Sequence, residues 1–176
     1  MPKVGIVISN YNGWQDTLVC LDSLQKQTYK DFEIILLDDA SPNDSVAQLQ
    51  DKLPANTVFL PQEQNLGFAA VNNVGMRRAL ADGCDYVLLL NNDTAVAPDM
   101  LETLLRETPA GAVSCPKMLF MNHLLFWNVL GIFKCDLYPF FTFLFCFCSV
   151  LQLTRNISGD ISLTYSSLRI GVVFIK

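Results

Sequence analysis

The sequence has a single histidine, His123, and its six cysteines include no Cys-x-x-Cys pair, so the ligand spacing of a structural zinc site is missing. Gly-x-Ser-x-Gly, His-Glu-x-x-His, Gly-x-Gly-x-x-Gly and the Walker glycine loop are all absent. That removes serine-triad hydrolases, zincins and the two common phosphate fingerprints. Clustered Lys and Arg are lacking too, and the formal net charge is −5, which argues against nucleic acid as a partner because phosphate neutralisation needs basic clusters. The apolar run Val4–Ile8 is cut off by Ser9-Asn10 and is too short for a signal peptide.

What is present is apolar: 51% of residues are hydrophobic and 16% charged, with a mean hydropathy of +0.31. A chain of 176 residues supplies one domain with a sizeable core and leaves no room for a second of equal size. The charge is unevenly placed. Residues 1–118 hold 8 of the 12 Lys+Arg and 15 of the 17 Asp+Glu, whereas residues 119–176 hold 9 of the 12 Phe. We therefore divide the chain into a normally charged domain, 1–118, and an atypical hydrophobic tail, 119–176. Cys20, Cys84 and Cys115 sit in apolar stretches of the first part and read as buried free thiols in a reducing, cytoplasmic compartment.

Short apolar runs alternate with helical periodicity along residues 3–115. Val4–Ile8, Glu33–Leu37, Thr57–Leu60, Asp85–Leu90 and Gly111–Cys115 read as strands, the long ones apolar enough for burial on both faces of a parallel sheet. Between them, Trp14, Leu18, Leu21 and Leu24 predict an amphipathic helix, and Val46, Leu49 and Leu53 a short one opened by Asn43-Asp44-Ser45. A third helix spans Phe68–Ala81, with Ala70, Val74 and Ala81 expected on its packed face and Gly83 as its stop, and a fourth spans Asp99–Glu107. The pattern is α/β with a mostly parallel sheet flanked by helices and right-handed crossovers.

Ligands of such sheets bind beyond the carboxyl ends of the strands. Here those ends carry Ser9-Asn10-Tyr11-Asn12, Asp38-Asp39, the Asn65-Leu66-Gly67 loop and Asn91-Asn92-Asp93. Each has a plain alternative. Asn91–Thr94 is a good Asx-turn, Asp38-Asp39 can form a turn and cap through Ser41 or Asp44, Tyr11 can pack on the first helix, and Gly67 can simply turn the chain. Each also has a chemical use. A carboxylate such as Asp93 can share a hard cation with a diphosphate, paired carboxylates can bind a ring N–H or a ribose hydroxyl, an exposed tyrosine can stack on a base, and a glycine at a helix start lets N–H groups approach oxygen ligands.

The order of these pieces is more specific than any one of them. With Val7-Ile8-Ser9-Asn10-Tyr11-Asn12, Leu24–Tyr29, Leu37-Asp38-Asp39-Ala40-Ser41, Asn65-Leu66-Gly67-Phe68, Asn73-Val74-Gly75 and Leu90-Asn91-Asn92-Asp93-Thr94, the chain resembles the family 2 glycosyltransferases of GT-A fold from about Lys3 to about Lys117. It is most similar to their rhamnosyltransferase-like subgroup. The resemblance implies transfer of a sugar from a nucleotide-diphosphate donor, a UDP- or dTDP-sugar, to a glycan or lipid-linked acceptor hydroxyl in cell-surface polysaccharide synthesis. The setting it implies is cytoplasmic, at the inner face of the cytoplasmic membrane. It implies that Tyr11 and Asp39 face the base, that Ser9 and Asn12 line the nucleoside pocket, and that Asn65 and Gly67 close over it. Asp93 would hold a divalent metal, Mg or Mn, and Asn91 stands where the family's Asp-x-Asp motif has its first acid.

The family's general base is an Asp or Glu in the second half of the domain, and the tail offers only Asp136 and Asp160. No catalytic residue is assigned. Residues 137–154 carry no charge, a length at the lower limit for a membrane span, although Pro139 and the Phe/Cys bias make a poor helix. Three expectations follow for the tail: a membrane anchor, an unusual acceptor subdomain, or, favoured by the abrupt change in composition, frameshifted or truncated coding sequence. The last would make the chain an inactive nucleotide-binding fragment.

Overall fold

The computed structural model describes residues 1–109, 112–114 and 116, and the backbone of strand segments 118–119, 126–127, 132–134, 151–155, 161–165 and 172–175. In chain order the elements are β1 (Val4–Asn10), α1 (Trp14–Gln25), β2 (Phe32–Asp38), α2 (Ser45–Gln50), β3 (Thr57–Pro61), α3 (Phe68–Ala81), β4 (Tyr86–Asn91), α4 (Met100–Glu107) and β5 (Ala112–Ser114). Short strands β6 (Met118–Leu119), β7 (Phe126–Trp127), β8 (Ile132–Lys134), β9 (Leu151–Arg155), β10 (Ile161–Tyr165) and β11 (Val172–Ile175) follow. The main sheet runs β3-β2-β1-β4-β11-β5-β8. β1 to β4 are parallel neighbours, whereas β11 enters antiparallel between β4 and β5, and β8 is antiparallel to β5. The uncharged stretch is described only at residues 151–154, and Asp136 and Asp160 lie outside the described residues. No helix among the described residues is long and apolar enough to cross a membrane.

Alternation along the strands divides the core in two. Ile6, Ile8, Ile34, Leu36, Leu88 and Leu90 face α1, α2 and α4, where they meet Cys20, Leu21, Leu24, Leu49, Leu101 and Leu104. Val7, Ile35, Leu37, Val87 and Leu89 face α3 on the other side. Continuous apolar runs in β1, β2 and β4 follow from this burial on both faces. The face expected for α3 is corrected: Val71, Asn72, Gly75, Met76 and Ala79 are buried, whereas Ala70 and Ala81 are exposed and Val74 is half-buried. Asn72 and Gly75 disguise the packed side, because one is polar and the other lacks a side chain. Asp44 precedes α2 without a side-chain capping bond, its place being taken by Asn43, whose Oδ1 accepts the Ser45 amide at 3.0 Å.

Cys20 and Cys84 are buried free thiols. Burial pushes Cys20 up to about 12, helped by the charge of Asp93 and opposed by a bond from the Thr94 backbone. Burial likewise pushes Cys84 to about 12, aided by its hydrogen bond to Glu33. Both values are raised above the ordinary 9.0, so the stability tied to the neutral thiols is complete below pH 9 and is lost as pH rises from 9 to 12. Mapped alkylation at pH 8 is expected to leave both untouched until the domain unfolds. Labelling of the folded protein at either position would contradict this.

Candidate functional site

The register places the chemistry at one sheet edge. Ser9 lies opposite Leu37 on one side and Asn91 on the other, and Asn10 lies opposite Asp38. The β1, β2 and β4 ends therefore release their loops side by side. At the centre is Asn10, a buried polar residue that the sequence reading quoted but gave no role. Its Nδ2 donates to Asp38 Oδ2 at 2.6 Å, and its Oδ1 accepts from Thr17 Oγ1 at 2.9 Å and from the Gly13 amide at 3.2 Å. Asp38, fully buried, also accepts the Ser41 amide and hydroxyl, both at 2.8 Å. Ser41 Oγ in turn accepts the Asn12 amide at 2.9 Å. Asp38 thus makes the turn that was its plainer alternative, and these bonds lock the β1 and β2 loops together.

That turn bends sharply. Ala40 has φ +56° and Asn12 φ +61°. Asparagine visits this region readily, whereas a Cβ there costs alanine about 1–2 kcal/mol. Ala40→Gly removes the clash but adds freedom to the unfolded chain, an offset of about 0.4–1 kcal/mol. A net gain of up to about 1 kcal/mol is expected, seen as a melting temperature higher by about 2–4 °C. A lower melting temperature would show that the turn is unstrained.

Asp39 is buried, and its carboxylate closes on the next loop: Oδ1 accepts the Leu66 amide at 2.7 Å and Oδ2 the Gly67 amide at 2.9 Å. Asn65 Oδ1 shares the Gly67 amide at 3.1 Å. Gly67, at φ +79°, opens α3 with open space where a Cβ would stand. Ser9 is half-buried, with Asn72 Nδ2 at 3.5 Å from its hydroxyl. Tyr11 is 52% exposed, its ring free of the core. Ser9, Tyr11, Asn12, Asp39, Asn65 and Gly67 are thereby gathered onto connected loops.

On β4, Asn91 is half-buried and its carbonyl accepts the Cys20 thiol at 3.7 Å. Asn92 turns inward. Its amide donates to Thr17 Oγ1 at 3.1 Å, to the Gly13 carbonyl at 3.2 Å and to Asn10 Oδ1 at 3.4 Å. Asp93 is exposed on the same turn. No group of three or more metal-ligating side chains lies among the described residues. An accessible carboxylate such as Asp93 fits a hard cation whose remaining ligands are phosphate oxygens and water. None of the loops 9–14, 38–45, 62–68 and 91–98 contains Lys or Arg. In these described loops a diphosphate would meet acids and neutral groups, and a cation brought with it would offset its charge.

The parallel strands β1 to β4 thus carry polar loops and the exposed Asp93 at their carboxyl edge, the place where open α/β sheets bind ligands. The glycosyl transferase family 2 domain matches residues 5–139, and the chain belongs to that family. It is 31% identical over 109 residues to glycosyltransferase GlyG of Streptococcus pneumoniae serotype 4, covering 59% of this chain and 34% of that protein. To the bifunctional glycosyltransferase pgtA of Dictyostelium discoideum it is 27% identical over 121 residues, 65% of this chain and 16% of that one. The chain thus spans about a third or less of these relatives. Among solved structures, the mannosyltransferase PcManGT from Pyrobaculum calidifontis, in complex with GDP-Man and Mn2+, is similar at TM-score 0.57 and 21% identity, covering 66% of this chain and 36% of that one. S. aureus TarS 1-349 is similar at TM-score 0.58 and 24% identity, with 72% and 38% covered. At these identities the likeness establishes the GT-A-like fold.

Proposed function

We propose that the chain binds a nucleotide-diphosphate sugar across the carboxyl edge and belongs to a glycosyltransferase that passes the sugar to an acceptor hydroxyl. The observation that carries this is that the four described loops hold no Lys or Arg while Asp93 stands exposed just past β4, in a chain of family 2. Tyr11 offers a ring face for a base, and Ser9, Asn12 and the Asn65–Gly67 loop surround the nucleoside. Asp39 faces the base in this reading, each of its oxygens keeping a second lone pair beside the loop amide it holds. Asp93 would hold Mg or Mn, with Asn91 beside it as a neutral neighbour. When bound, the cation stabilises the charge that develops on the leaving diphosphate. A UDP- or dTDP-sugar donor, a rhamnosyltransferase-like specificity and a glycan or lipid-linked acceptor in polysaccharide synthesis at the inner membrane face extend this reading. They rest on the sequence resemblance. Residues 1–118 carry the donor part in this proposal, and the role of 119–176 rests on composition alone.

Calorimetry with UDP and with dTDP, each with and without Mn2+, tests the proposal. Metal-dependent binding is expected, with the metal-dependent increment lost in Asp93→Ala. No binding of either nucleotide under any condition would overturn it. Binding without sugar release from a UDP-sugar would mark a non-catalytic nucleotide-binding module.

A further inference from the structure

α1 presents a buried polar row to the segment that follows β4. Thr17, Cys20 and Ser23 recur every three residues on one face of α1, Gln27 follows just beyond the helix's C-terminal end, and all four are buried. Each grips a different point. Thr17 Oγ1 accepts from Asn92 at 3.1 Å, and the Cys20 thiol donates to the Asn91 carbonyl at 3.7 Å. Ser23 Oγ accepts the Val96 amide at 3.1 Å. Gln27 bridges further on, its Nε2 donating to the Ala97 carbonyl at 2.6 Å and its Oε1 accepting the Leu101 amide at 3.0 Å. The backbone is therefore fastened on both sides of Asp93, by Asn91 and Asn92 before it and by Val96 and Ala97 after it. Asp93 itself stays exposed.

A carboxylate on a free turn must lose backbone freedom each time it binds a cation, whereas one on a fastened turn has lost it in folding. We propose that Asn92 is a positioning residue: held by Thr17, Gly13 and Asn10 and backed by the row on α1, it fixes where the Asp93 carboxylate stands and so sets the affinity for the divalent cation, without touching the nucleotide. This rests on the reading of Asp93 as the carboxylate that holds the cation. The row also accounts for the polar side chains that interrupt the apolar face of α1. Leu18, Leu21 and Leu24 pack towards the sheet-side core, which Cys20 also joins, while Thr17 and Ser23 bond to the segment after β4.

Asn92→Asp keeps size and shape but points an oxygen where an amide donated to the Gly13 carbonyl and Asn10 Oδ1. The test compares the wild type, Asn92→Asp and Asp93→Ala by Mn2+ titration at saturating UDP, followed by electron paramagnetic resonance, and by UDP calorimetry in EDTA. For Asn92→Asp, Mn2+ affinity is expected to fall about 10–100-fold, with UDP affinity in EDTA unchanged. Wild-type Mn2+ affinity in Asn92→Asp, with loss in Asp93→Ala, would overturn the proposal and leave the donor site standing. Equal losses with and without metal would make Asn92 merely structural and also overturn it. Wild-type Mn2+ binding in Asp93→Ala would overturn the donor-site reading and this proposal together. Should Asn92→Asp fail to fold, Ser23→Ala, which frees the Val96 amide, must show the same metal-selective loss, and an unselective one sinks the idea.

Discussion

Gly75→Ala is expected to destabilise the domain, although alanine is the better helix former. A Cβ built at Gly75 would stand 2.3 Å from Val7 Cγ1 and 2.8 Å from Leu37 Cδ1. Val7 and Leu37 are fully buried on the adjacent strands β1 and β2, so neither can swing aside. α3 must lift from the sheet, and overpacking of this kind costs about 1–3 kcal/mol or more. The helix-propensity gain of about 1 kcal/mol recovers only part of it. Gly75→Val adds two more carbons to the same contact without that gain, and its loss is expected to exceed that of alanine. Lifting α3 also moves Gly67 and the loop that Asp39 holds, so nucleotide binding should weaken with stability. Thermal melts of both variants provide the measurement. A Gly75→Ala domain melting at or above the wild type would show that α3 does not press on the sheet as described.

Gly75 also shows where sequence reading succeeds and where it stops. The apolar runs of β1, β2 and β4 are legible because a strand covered on both faces must be apolar throughout, and the observed Val4–Asn10, Phe32–Asp38 and Tyr86–Asn91 enclose or closely track the expected spans. Phe68–Ala81 was legible as a helix between Gly67 and Gly83, yet its packed side was not, because close approach selects a glycine that periodicity cannot count. β11 was illegible for another reason. Its partners β4 and β5 are more than fifty residues away in sequence, and no local pattern in Val172–Ile175 announces an antiparallel insertion.

The site divides along the same line. Tyr11, Asp93 and Gly67 could be singled out as candidates because a loop aromatic, a charge and a glycine at a helix start are properties of single positions. Asn10, Thr17, Gln27 and Asn92 could not be given roles, since each works through partners supplied by other elements. Asp38 and Asp39 are adjacent and chemically identical, and only the fold separates them: one accepts Asn10 and Ser41, the other accepts Leu66 and Gly67. The segment Leu24–Tyr29 was recognisable as part of a pattern, and the structure supplies its physical reason in the grip of Gln27 on Ala97 and Leu101.

Asp38→Asn is expected to damage the whole carboxyl edge, although it changes only one atom. The buried carboxylate accepts three donors: the Ser41 amide at Oδ1, and the Asn10 amide group and the Ser41 hydroxyl at Oδ2. An asparagine has one acceptor oxygen. If that oxygen takes the Oδ2 position, its NH2 faces the Ser41 N–H; if it takes the Oδ1 position, its NH2 faces the NH2 of Asn10. Either orientation leaves donor against donor in a buried place, and charge-assisted bonds of about 1.5–3 kcal/mol are replaced by unpaired groups. A loss of about 2–4 kcal/mol is expected, lowering the melting temperature by roughly 5–15 °C. Because Asn10 also holds Thr17, the Gly13 amide and Asn92, the disturbance should reach β1, α1 and the Asp93 turn at once. Nucleotide affinity should then fall both with and without Mn2+, unlike the metal-selective loss expected for Asn92→Asp. Melting within about 2 °C of the wild type, together with unchanged nucleotide binding, would show that the carboxylate charge of Asp38 is not what locks the loops.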